Sequence, residues 1–279
     1  MPQPAQSGPI CLAALIGCLF ASFPVTGATQ VLADDASAAV CPIVYQLDQS
    51  PSSRGYHYSF FGNGFFINDQ GYLLTAAHVL ENFRDGGQPY ILVSRPNGPP
   101  ILLQASIIAT DAGHDVAILR AASNPFASKY KVTFLPLSSE PASPGQSVFT
   151  LSPHPPKQQS ANTFEVPRED RFSGEVLSYE STQLERSAPA TEVFLLSHAV
   201  NLGQSGSPVL SPNSGAFLGL VEGRWLRSSA VSITKSSSAS LSVPGAAVPI
   251  RYAIALLQRQ SISWHAPRSQ PPSSASPVR

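Results

Sequence analysis

Short runs of alternating or continuously apolar residues recur along most of this chain, and turn-forming residues separate them. The runs at Phe60–Asn68, Tyr90–Ser94, Ile101–Thr110, Asp115–Arg120, Gln146–Leu151, Arg171–Tyr179, Val193–Ser197, Pro208–Leu210 and Ala216–Glu222 each read as a β-strand. Between them stand Asp85-Gly86-Gly87, Pro96-Asn97-Gly98-Pro99-Pro100 and Ser152-Pro153-His154-Pro155-Pro156, clusters that interrupt regular structure. Helical spacing is clear in one segment: within Val248–Gln260, the residues Ile250, Ala253, Ile254 and Leu257 share a face. Many short strands joined by turns predict an all-β sandwich or barrel, with this helix packed on it near the C-terminus. No internal repeat is evident.

Composition strengthens the picture. Charged residues are 12% of the 279, and 27 positions are Pro, about half and about twice their usual shares. Both disfavour long helices. A chain of this length buries roughly 75% of the surface its unfolded form exposes, enough for one large domain or two small ones. Lys+Arg 17 against Asp+Glu 17 leaves no net charge, so no attraction to nucleic acid or to an anionic membrane is expected. No cluster of His, Cys, Asp or Glu has metal-ligand spacing, and no Gly-rich phosphate loop follows a strand, so no cofactor is expected.

The N-terminal segment predicts export. Ile10–Phe23 is apolar throughout, and the first charges after it are Asp34 and Asp35. Residues 1–33 read as a signal peptide with a small-residue cleavage site at Val31-Leu32-Ala33, which makes the protein periplasmic or secreted. Leu15-Ile16-Gly17-Cys18 also looks like a bacterial lipobox, in which Cys18 would carry the lipid; the plainer reading is a small apolar residue of the signal. Cleavage near Ala33 leaves Cys41 alone, so no internal disulfide is expected. Residues 43–263 are then the folded body, and residues 264–279 a Ser/Pro-rich tail unable to pack.

Three strings carry candidate chemistry. In Asn201-Leu202-Gly203-Gln204-Ser205-Gly206-Ser207-Pro208, glycines on both sides of Ser205 allow a tight turn that exposes its hydroxyl. They also free the amides of Gly203 and Ser205 to converge as an oxyanion hole. In Gly71-Tyr72-Leu73-Leu74-Thr75-Ala76-Ala77-His78, a polar His78 closes an apolar run and needs a partner or water. In His114-Asp115-Val116-Ala117-Ile118-Leu119, Asp115 opens an apolar strand, where it could equally accept backbone N–H bonds. His57, His154 and His265 lie in polar or Pro-rich stretches and read as solvated.

Together these strings resemble the trypsin-like, chymotrypsin-fold serine proteases, most closely the bacterial high-temperature-requirement type, over roughly Tyr56–Gln260. Phe61-Gly62-Asn63-Gly64-Phe65-Phe66-Ile67 and Phe217-Leu218-Gly219-Leu220-Val221-Glu222-Gly223 extend the resemblance. The order His, Asp, Ser agrees with this family and not with subtilisin-like or α/β-hydrolase enzymes. The resemblance implies two antiparallel six-stranded β-barrels, about 43–138 and 145–263, with a C-terminal helix. It implies a serine endopeptidase acting on polypeptides, with Ser205 as nucleophile, His78 as general base, Asp115 orienting His78, and Gly203 and Ser205 as oxyanion donors. The primary pocket would have Ala199 at its floor and Val221, Glu222 and Gly223 along a wall. With no acid at the floor, small or medium apolar residues are expected at the cleavage site; His198 reaching into the pocket would instead favour acidic ones. Gln204 replaces the Asp that pairs with a new N-terminus in trypsin-type zymogens, so activation at Ile43-Val44 is not expected. Ser207 replaces a second glycine after the nucleophile, a small change. Too few residues follow Gln260 for the PDZ domain common in such relatives. A binding protein with a silent site on the same fold is the alternative.

Overall fold

A computed structural model describes residues 36–47, 57–83, 87–94, 99–127, 132–160, 163–184, 188–225 and 243–267. The expected signal segment, with Cys18, lies outside them, as does the chain after residue 267.

Two closed six-stranded antiparallel barrels form the body, as the resemblance implied. The first contains β1 (Val40–Leu47), β2 (His57–Phe66), β3 (Tyr72–Thr75), β4 (Pro89–Val93), β5 (Ile101–Asp111) and β6 (Val116–Ala121), ordered β1-β2-β3-β6-β5-β4. A small hairpin, β8 (Gln158–Ser160) with β9 (Thr163–Phe164), follows β7 (Ser147–Pro153). The second barrel joins β7 to β10 (Glu169–Thr182), β11 (Thr191–Leu196), β12 (Pro208–Leu210), β13 (Phe217–Arg224) and β14 (Gly245–Pro249), ordered β10-β11-β14-β13-β12-β7. Closure leaves neither sheet an unpaired edge, which short strands of this kind otherwise expose.

Burial explains the strand pattern. In β6, Val116, Ala117, Ile118 and Leu119 are all buried, because the strand is covered on both faces rather than one. The largest buried cluster crosses the two barrels: Phe65 and Phe217 pack with ring centroids 4.7 Å apart, joining β2 to β13. Packing begins ahead of residue 43, since Ala36, Ala39, Val40 and Cys41 are buried. It also runs past residue 263: His265 stacks on Phe134 at 4.6 Å, and its carbonyl accepts the Leu137 N–H at 2.8 Å. Those contacts hold the start of the expected tail against the body.

The helix α1 (Ile250–Arg259) is shorter at its start than the periodicity predicts. Val248 and Pro249 pair with Leu220 and Gly219 in β14, so the chain stays extended until Ile250. Ile250, Ala253, Leu256 and Leu257 are its buried residues; Leu256 takes the inward place expected for Ile254 because α1 lies against β5, β6, β13 and β14 of both barrels. Among the described residues, no helix is long and apolar enough to cross a membrane.

Candidate active site

His78 sits in a 3-10 helix, Ala77–Phe83, that leaves β3; Val79, Leu80 and Phe83 bury its other face. The ring thereby turns toward a second 3-10 segment, Ala112–His114, between β5 and β6. Asp115 ends that segment in the left-handed region, φ 51° and ψ 44°, a conformation unusual for a residue other than glycine and often stored at functional sites. This conformation aims both carboxylate oxygens at one residue. Asp115 Oδ1 accepts the His78 backbone N–H at 2.8 Å, and Oδ2 lies 2.8 Å from His78 Nδ1. The bond at Nδ1 favours the tautomer with its proton there, leaving Nε2 as the basic nitrogen. Asp115's side chain is 6% exposed and that of His78 38%, so the pair is anchored inside and open at the imidazole edge.

Burial pulls the His78 pKa down, yet the Asp115 hydrogen bond and the charges of Asp115, Glu222 and Glu81 outweigh it and hold the ring above the ordinary histidine value. Glu222 is also perturbed. Burial first, then the Asp115 charge, raises its carboxyl above the usual range, with His78 opposing. A β-bulge at Val221/Gly223 leaves Glu222 out of register in β13. Its side chain lines a cavity of about 140 Å³ with Ala77, His78, Glu81, Ala112, Asp115 and Leu184.

The serine turn approaches from the second barrel. Gly206 has φ +79°, and a Cβ there would lie 2.1 Å from the Asn63 carbonyl oxygen, so only glycine fits. Gly203 has φ +88°, and a Cβ would meet Phe60 Cε1 at 2.7 Å. The turn closes on itself: Asn201 donates its N–H to Gln204 Oε1 at 2.7 Å, and Gln204 donates its own to the Asn201 carbonyl at 3.2 Å. Among the described residues, the amides of Gly203 and Ser205 have no acceptor, while that of Gly206 donates to the Val221 carbonyl at 2.9 Å. Ser205 Oγ donates to the Glu222 carbonyl at 3.1 Å, not to His78. The two strings are still neighbours. Gly62 stands between them, and a Cβ there would meet Val79 Cγ2 at 2.7 Å and Ser205 O at 2.8 Å.

Asn63, which no local sequence signal marks out, clasps the turn to the first barrel. Its buried Nδ2 lies 3.0 Å from the Gly203 carbonyl, 3.0 Å from Ser207 Oγ and 3.1 Å from Ser152 Oγ. Its backbone N–H donates to the Ser205 carbonyl at 2.9 Å, and its own carbonyl accepts from Thr75 Oγ1 at 2.7 Å. Ser207 is therefore more than a tolerated replacement, since its hydroxyl joins this clasp.

Of the expected pocket residues, Ala199 is half-buried, Val221 is buried and Gly223 pairs with Ala246. Glu222 lines the cavity beside His78, whose charge acts on its carboxyl. His198 lies against Thr150 Oγ1, 3.3 Å from Nε2, and stacks on Phe172, while burial lowers its pKa. Arg224, which the sequence did not single out, reaches the Val200–Asn201 segment.

Paired six-stranded barrels with a His–Asp pair and a glycine-flanked serine at their junction define the chymotrypsin-like peptidase class. The chain belongs to the trypsin-like peptidase domain family, whose model matches residues 62–220, and this places it among the serine endopeptidases. Solved structures agree on the fold. The active form of the Rv3671c protease from M. tuberculosis matches at 18% identity and TM-score 0.55, covering 95% of this chain and 96% of that one. The HtrA-type protease AlgW with a tripeptide matches at 17% identity and TM-score 0.53, covering 82% of this chain and 62% of that one. The serine endoprotease from Yersinia pestis matches at 17% identity and TM-score 0.52, covering 84% of this chain and 67% of that one. This chain thus corresponds to less than two thirds of AlgW's length. No curated protein sequence matches it.

Proposed function

We propose that the protein is an exported endopeptidase that cleaves polypeptides through Ser205, His78 and Asp115 by way of an acyl-enzyme. The observation that carries this is the two-point hold of Asp115 on His78, at 2.8 Å to the backbone N–H and 2.8 Å to Nδ1. It leaves Nε2 free to take the Ser205 proton and later deliver it to the leaving amine, the family's general template. Asp115 supports the imidazolium. The amides of Gly203 and Ser205, which have no acceptor among the described residues, stabilise the tetrahedral oxyanion. Ala199, Val221, Glu222 and Gly223 frame a primary pocket with no acid at the floor, consistent with cleavage after small or medium apolar residues. Gln204, whose oxygen already accepts the Asn201 N–H, leaves no partner site for a new N-terminal ammonium. Activity without zymogen cleavage follows. Export through residues 1–33, a two-barrel body divided near 138–145 that takes in the packed residues from Ala36 to His265, and a Ser/Pro-rich tail after it complete the proposal.

One observation favours a second reading, a binding protein whose site is silent: Ser205 rests on Glu222 rather than on His78. A fluorophosphonate probe separates the two. The first reading expects labelling of the mature protein, lost in Ser205→Ala; a folded protein that takes no label supports the second.

A further inference from the structure

Arg224 ends β13 directly after Glu222 and Gly223, on the strand assigned to one wall of the primary pocket. Its side chain crosses to the other wall. Nε donates to the Val200 carbonyl at 2.8 Å, and Nη2 donates to Asn201 Oδ1 at 3.2 Å. Val200 and Asn201 follow Ala199 and lead into the serine turn, so the guanidinium ties the two segments assigned to the pocket walls together.

The same two segments also meet beside Arg224. Gly245 pairs with Arg224 in β14, and a Cβ on Gly245 would lie 2.4 Å from Val200 Cγ2. The Gly245 N–H donates to the His198 carbonyl at 3.0 Å. The segment 198–201 is therefore held to the β13–β14 pair twice, by Gly245 and by Arg224. A long side chain entering the pocket would have to displace Arg224 and break both hydrogen bonds.

We propose that Arg224 is a specificity-determining residue that closes the outer part of the primary pocket and restricts the residue before the scissile bond to Gly, Ala or Ser. This rests on the endopeptidase reading above and narrows it. A merely structural role is the competing explanation, because Arg224 holds Asn201 and Asn201 holds Gln204 beside the nucleophile. Loss of a structural tie would weaken all substrates alike, whereas removal of a lid changes their ratio.

The test combines fluorophosphonate labelling of the wild-type mature protein, its cleavage profile on a peptide library, and kcat/KM of Arg224→Ala on paired substrates with Ala or Leu before the scissile bond. The expected result is a labelled wild-type protein that cleaves after Gly, Ala or Ser, and a Leu-to-Ala ratio that rises at least about tenfold in the variant, the scale of discrimination by a few methylenes. A labelled wild-type protein that cleaves mainly after Leu, Phe or charged residues overturns the inference while the endopeptidase reading stands, and needs no variant to fold. An unchanged ratio in Arg224→Ala also overturns it. Absence of label overturns the endopeptidase reading and this inference together.

Discussion

Ser205 Oγ donates to the Glu222 carbonyl at 3.1 Å, so the hydroxyl rests on β13 while His78 is held from behind by Asp115. The catalytic proposal therefore requires the Ser205 hydroxyl to leave the Glu222 carbonyl and turn to His78. The base is fixed before substrate arrives and the nucleophile is not. Apo sites commonly tighten in this way only when substrate is bound.

Asp115→Asn removes one of the two acceptor oxygens that His78 uses. The amide NH2, facing His78 Nδ1, would force the proton onto Nε2 and leave no base for Ser205. Turnover should fall roughly 10⁴-fold with the fold retained. Steady-state kinetics with circular dichroism on the same sample checks this; a loss of only a few-fold would remove Asp115 from the proposed role.

The pH profile should carry the mark of the acids around His78. Because the ring is held above its ordinary value, kcat/KM should rise with pH through a midpoint above about 6.5. Glu222→Gln removes one of the charges that raise it, so the midpoint should move down. The sign for stability is opposite to that for activity. A histidine with a raised folded pKa adds stability below its unfolded pKa and loses it as pH climbs through the folded one. Profiles of the two proteins that coincide would show that Glu222 does not act on His78.

Asn63→Ala should loosen the serine turn, since the Gly203 carbonyl, Ser207 and Ser152 all lose a partner at once. Each buried polar group left unsatisfied costs about 1–3 kcal/mol. A lower Tm together with slower fluorophosphonate labelling is expected. Labelling at the wild-type rate would mean that the turn holds its shape without the clasp.

Gly206 and Gly145 share a φ of +79° but differ in surroundings. Alanine at either position costs about 1–2 kcal/mol for the left-handed backbone. At Gly206 it must also move the Asn63 carbonyl, 2.1 Å away, whereas at Gly145 nothing lies within 4 Å. Gly206→Ala should lose labelling and much of its stability, and Gly145→Ala should show only the modest drop in Tm. Equal effects in thermal melts would argue against the close approach at Gly206.

The local strings around His78, Asp115 and Ser205 were legible because each carries its signal within about ten residues: an apolar run ending in a polar group, an acid opening a strand, a serine between glycines. Most strands were legible for the same reason. β1, β3, β8, β9 and β14 were not. β1 contains Pro42 and lacks alternation, and β14 is a five-residue stretch of Gly, Ala, Val and Pro, whose strand character comes from closing a barrel between β11 and β13.

By itself, then, the sequence determined the fold class, the order of the three candidate residues and the glycines their turns require. Tertiary structure alone decided that Glu222 faces His78, that Asn63 ties the turn across the barrel junction, and that Arg224 bridges the pocket walls. Partners in these contacts lie as far as 144 residues apart, as Asn63 and Ser207 do. No local periodicity encodes such a meeting; it follows from barrel closure, from the bulge at Val221/Gly223 and from the need of buried polar groups to find partners.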